Sequence, residues 1–200
     1  MTQFPFYLAA LGLVFAAGCG DAPAPEAETP VAEEFVWQTE QVADLKLIRY
    51  QVPGWEQLSP RQQALVYCLN QAGLSGRDIM YDQNYRYNLT LRDVFEGIYT
   101  GYEGDRTTKD FVEFVVYLKR FWFSNGIHHH YSNMKFTPGF SQESFMEWVA
   151  ATGQTADETL LAVIFDPTVD PKKVEQDKAK GLVENSAINF YAPDVTTEEA

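Results

Sequence analysis

Three consecutive residues, His128-His129-His130, hold every imidazole in this chain. Imidazole is the commonest metal ligand and the usual general base, so any such chemistry must pass through this turn. In an extended segment the first and third rings point to one side and could share a cation. A structural zinc takes four protein ligands and a catalytic one usually three. The nearest additions are Asp110, Glu113 and Glu143, and none stands at a recognised spacing. A His-Glu-x-x-His helix is excluded, because no further histidine exists. Two other readings stay open beside the metal. One is a polar turn that packs its rings and hydrogen-bonds backbone; the other is a turn that faces a ligand.

Other chemistries find less to work with. A Ser-His-Asp triad would draw on the same three histidines, and no Gly-x-Ser-x-Gly turn occurs. Gly97, Gly101 and Gly104 are not followed by the Lys and Ser or Thr of a phosphate loop. With only Cys19 and Cys68, a cysteine-built zinc site is excluded by count. Asn88-Leu89-Thr90 matches a glycosylation sequon by chance. Between Tyr81 and Trp148 lie 17 of the chain's 29 aromatic residues, so the core belongs there. Tyr81, Tyr85, Tyr87 and Tyr131 follow no clean helical stripe. They could line a cleft, though capping a core at the waterline is the commoner role.

The elements that must hold this turn are mostly helical. Ser59-Pro60-Arg61-Gln62 starts a helix with a capping box and a proline at the first position. Its apolar face carries Ala64, Leu65, Cys68, Leu69 and Ala72, where Cys68 packs as a small hydrophobe. A second helix runs from Thr90 to Tyr99. A third, from Thr107 or Thr108, carries Phe111, Phe114, Val115, Leu118, Phe121 and Trp122 and stops at Asn125-Gly126. Ser141 caps a fourth. Thr155-Ala156-Asp157-Glu158 reads as a capping box for a fifth that closes at Asp166-Pro167, and Asp170-Pro171 opens a short sixth. Leu45–Val52 and Ala187–Tyr191 read as strands. The fold class is α+β, predominantly helical. Asp194 to Ala200 reads either as the opening of a helix or as a polar tail.

Charge and composition divide the chain. Its formal net charge is -13, the wrong sign for nucleic-acid binding. Seven acids and no base lie between Asp21 and Asp44, so the rest is only mildly acidic. Residues 4–18, FPFYLAALGLVFAAG, are too short for a comfortable membrane span but suit the apolar core of an export signal. Ala16-Ala17-Gly18-Cys19 resembles a bacterial lipoprotein signal, with Cys19 the lipid-bearing residue. The expected organisation is a signal peptide over 1–18, an acidic Pro/Ala/Glu tether over 19–44 and a folded part over 45–200. The expected location is the cell envelope, on the periplasmic or outer-membrane side, anchored through Cys19.

Several stretches, in one order, resemble the N-terminal part of bacterial dipeptidyl peptidase III. They are Arg49-Tyr50-Gln51-Val52-Pro53-Gly54, Gly76-Arg77-Asp78-Ile79 and Asp82-Gln83-Asn84. They continue with Tyr117 through Tyr131, Lys135-Phe136-Thr137-Pro138-Gly139-Phe140 and Val163-Ile164-Phe165-Asp166-Pro167. The resemblance spans roughly residues 45–195. It implies part of the lower lobe of a two-lobed zinc exopeptidase that removes dipeptides from peptide N-termini. The family's zinc motif, His-Glu-x-x-Gly-His, is not in this sequence. The resemblance therefore implies an N-terminal portion whose metal ligands lie in a missing C-terminal portion of the same enzyme. It also implies that the turn from Ser124 to Tyr131 approaches the substrate cleft. Asn125, His128, His129, His130 and Tyr131 would then be substrate-binding residues, with Tyr131 the pocket aromatic and no metal ligand or catalytic residue here. The expected partners are a peptide substrate, the C-terminal portion and the membrane. The other open reading is a membrane-anchored lipoprotein that binds peptides without cleaving them.

Overall fold

The computed structural model describes residues 35–192 and 194–199. Cys19, the export segment and most of the tether lie outside the described residues. The described part opens with an antiparallel hairpin, β1 (Gln38–Val42) and β2 (Leu45–Ile48). β1 falls inside the segment that composition assigned to the tether. Its Val42 is buried, so the fold begins before the charge pattern changes. The first helix, α1 (Pro60–Ser75), has the expected box: Ser59 and Gln62 bond each other's backbone N–H reciprocally. A helix that composition does not announce, α2 (Arg77–Asn84), follows at once after Gly76.

The core is built by α3 (Asn88–Gly101), α4 (Lys109–Ser124), α5 (Gln142–Ala151) and α6 (Glu158–Phe165). Thr108 caps α4 and Ser141 caps α5, each accepting a backbone N–H three residues on. Phe95 of α3 sits at the centre. The rings of Phe114, Tyr117, Phe121 and Phe145 meet it edge-on at 5.3–6.0 Å. That geometry places positive ring edges on negative ring faces, adding to the gain from burial.

Three local expectations are corrected. The cap of α6 is Asp157, not Thr155: its carboxylate accepts the Leu160 N–H at 2.8 Å. Asp170-Pro171 opens no helix. Asp170 has φ 45° and spends its side chain on Tyr85 and its carbonyl on His128, so neither is free to cap. Ala187–Tyr191 is no regular strand, but Ala187 and Ile188 donate to the Lys172 and Lys173 carbonyls at 3.0 Å. The apolar face of α1 is also not buried. Leu65 is 58% and Leu69 62% exposed, and Cys68 is exposed with them rather than packed. Among the described residues no helix is long and apolar enough to cross a membrane.

Candidate functional site

The histidine turn follows directly from the end of α4. Asn125 adopts the left-handed conformation at φ 51°, which asparagine tolerates better than most residues. Its carbonyl accepts the side-chain amide of Asn84 at 3.0 Å and that of Asn88 at 3.4 Å. Asn88 is fully buried. Its Nδ2 also donates to Tyr81 O at 3.0 Å, and its Oδ1 accepts the Ile127 N–H at 3.2 Å. Gly126, at φ 143°, leaves room for this amide: a Cβ there would lie 2.1 Å from Asn88 Nδ2. Asn88 is thus a buried clamp and not a glycan acceptor. It also fixes where the chain goes next.

From Ile127 the chain doubles back. His129 N donates to Met134 O at 2.8 Å, and Phe136 N donates to Ile127 O at 2.9 Å. Lys135 N then donates to Pro171 O at 2.9 Å, tying in a third segment. His128 is swallowed by this arrangement. Its Nε2 donates to Asp170 O at 2.8 Å, and its ring meets Tyr85 edge-on at 5.2 Å. Its buried Nδ1 finds no hydrogen-bond partner. Burial pushes its pKa down to about 4, so the ring is neutral at pH 7. Burial first, and then the bond to Asp170, push the Tyr85 hydroxyl's pKa well up.

His129 and His130 take the other side. Their rings stack at 4.5 Å. His129 Nδ1 accepts the N–H groups of Tyr131 and Ser132 at 3.1 and 3.0 Å. The proton therefore sits on Nε2, which faces Asp44 Oδ2 at 3.3 Å. His130 meets the Phe123 ring at 4.9 Å, and its Nδ1 lies 3.5 Å from Ser124 Oγ. Lost solvation, and then the His129 ring beside it, lower the pKa of His130. Tyr131 ends the turn at 86% exposure.

The five expected site residues thus divide. His130 and Tyr131 are accessible, His129 is partly covered, His128 is a core pillar, and Asn125 works through its backbone. His128 is buried with its Nε2 committed to Asp170 O, whereas His130 is exposed against Phe123, an arrangement that does not suit a cation shared by the two. Among the described residues no group of three His, Cys, Asp or Glu side chains could hold a metal ion. Tyr81 and Tyr85 are buried core residues. Asp44 and Lys173 carry no site signal in the sequence, and Asp170 reads there only as a helix cap. Asp44 reaches the turn from the hairpin, and Asp170 from 42 residues beyond His128. Lys173 acts on His128 and His130 through its charge, and burial lowers its own pKa. No local signal marks such distant partners. The result is an aromatic and imidazole platform beside an ammonium group. It can stack on and hydrogen-bond a polar ligand.

Compared with known proteins, the chain matches no family model and no curated protein.

Proposed function

We infer that this chain is the N-terminal, substrate-side portion of a zinc-dependent dipeptidyl peptidase resembling dipeptidyl peptidase III. The observation that carries this reading is the ordered series of family-like stretches around a turn that presents Tyr131 to solvent. The uncovered apolar face of α1 supports it, because such a face suits a larger assembly. The residues described here do not fit a zinc ion, so no hydrolytic step is assigned to them. Their part is positioning. Asn88 and Asn125 fix the start of the turn, His128 anchors its base, and His129 Nδ1 holds the Tyr131 backbone N–H. A peptide would meet Tyr131 and His130 first. Lipidation at Cys19 would hold the enzyme in the cell envelope.

The purified chain, assayed with zinc and a dipeptidyl arylamide, is expected to show no turnover. Measurable turnover abolished by a chelator would overturn the assignment of catalysis to another portion. Reading the gene beyond codon 200 gives the second check. An open frame encoding His-Glu-x-x-Gly-His supports the peptidase. A stop there, together with peptide binding by the chain, favours the non-catalytic lipoprotein.

A further inference from the structure

A groove that shares no lining residue with the histidine turn lies where the hairpin meets α4. The hairpin is pinned there by two ion pairs, Glu40 with Lys119 and Asp44 with Arg120. On one side of this contact, Leu45 and Leu47 of β2 face Trp122 and Phe123 around a cavity of about 370 Å³. On the other side is the open groove, of about 530 Å³. Its helical wall is Val112, Val115, Val116 and Lys119, one stripe of α4. Its opposite wall is Glu40, Gln41 and Val42 of β1 and Ala43 of the hairpin turn. Successive strand residues point to opposite faces, so one face of β1 cannot supply Glu40, Gln41 and Val42 together. The strand's edge supplies them. Among the described residues β1 pairs with β2 alone, and every second residue of an antiparallel strand turns its N–H and C=O away from its partner. The groove is therefore floored by apolar side chains and edged by backbone donors and acceptors with no strand beside them among the described residues.

Charge narrows the occupant. Arg106 also lines the groove. Its guanidinium donates to Tyr99 O at 2.5 Å and lies 5.0 Å from the ring centres of Tyr99 and Phe111. Among the described residues it has no acidic partner, although the chain's net charge is -13. Lys119 is already neutralised by Glu40. One cation thus remains for one carboxylate.

We propose that this groove binds an extended peptide segment by strand addition to the free edge of β1. The segment alternates apolar residues, which lie on Val112 and Val116, and carries one carboxylate for Arg106. Backbone hydrogen bonds supply affinity in such docking, and the alternate side chains supply selectivity. The site shares no lining residue with the histidine turn, so it does not depend on the peptidase reading.

The test uses the full chain and a fluorescein-labelled octapeptide of alternating Val and Thr ending in Glu, read by anisotropy. Saturable binding is expected. The Arg106→Glu variant is expected to weaken it about tenfold, the worth of one charge-assisted hydrogen bond. A matching peptide ending in Lys amide should recover affinity on that variant. N-methylation of alternate peptide nitrogens should abolish binding in one of its two registers only. Circular dichroism checks that Arg106→Glu is folded. No binding up to about 1 mM, or binding indifferent to both changes, overturns the proposal. Binding that N-methylation leaves unaltered, and that dodecanoate competes away through Arg106, overturns it in favour of an apolar acid.

Discussion

His128 shows what burial does to one residue of an identical triplet. Its folded pKa is about 4 against an ordinary value of 6.5, because its ring has lost its water. The unfolded chain therefore takes up a proton between these values while the folded chain does not. Stability is full above pH 6.5, falls as pH drops towards 4 and levels below it. From pH 7 to pH 5 the loss from this group is about 2 kcal/mol. His128→Gln retains a donor near Asp170 O but does not titrate. Urea midpoints at pH 7 and 5 should therefore differ less in the variant than in the parent, by an amount near that loss. Equal slopes would mean the ring is hydrated in solution. Nothing local distinguishes His128 from His129 and His130, and the carbonyl that accepts its Nε2–H lies 42 residues on. That is why the turn was legible as a polar aromatic feature, whereas the separate fate of each ring was not. Asn88 teaches the same lesson. A sequon is a local pattern, and the buried amide clamp that it disguises is made with Tyr81, Asn125 and Ile127.

The elements divide along the same line. Ser59, Thr108, Ser141 and the left-handed Asn125 were legible, because a cap bonds within three or four residues of itself. The end of α6 depends on a residue far away. Lys135 Nζ donates to the carbonyls of Val163, Asp166 and Val169 at 3.0, 2.6 and 2.5 Å. One ammonium thus answers two carbonyls at a helix C-terminus, where positive charge is favoured, and a third in the turn that follows. It also locks α6 to the segment returning from the histidine turn. Lys135→Met keeps the stem and removes the donors. It should cost about 1.5–3 kcal/mol, the range for hydrogen bonds to charged groups. Amide hydrogen exchange should rise in α6 and in residues 133–136 together. A rise in α6 alone would show that the lysine caps the helix without coupling it to the turn. The failed helix at Asp170-Pro171 has the same root. Its cap residue was suitable, but Tyr85 and His128 engage it first.

At the scale of the molecule, the residue pattern of α1 said which side is apolar but could not say what covers it. Phe95 and Leu65 both sit on apolar helical faces; one is 0% exposed and the other 58%. The difference is made by neighbours, and Phe95 has four rings around it. α1 buries no residue at all. Its face with Leu65, Leu69 and Cys68 therefore contributes little to the stability of this chain and much to its tendency to associate. These two properties separate in one experiment. Leu65→Lys with Leu69→Lys changes exposed sites on a helix held by its capping box and by α2. Thermal stability should shift by no more than about 0.5 kcal/mol per site, as at other surface positions. Self-association should fall, seen by sedimentation velocity as loss of concentration-dependent species. Phe95→Ala should instead cost about 3–5 kcal/mol through the cavity left among its four rings. If the α1 pair destabilised the chain as much as Phe95→Ala does, α1 would be packed in solution and the uncovered face would not exist. If the pair left both stability and association unchanged, that face would be exposed but not adhesive. The larger-assembly reading would then lose the support it draws from α1.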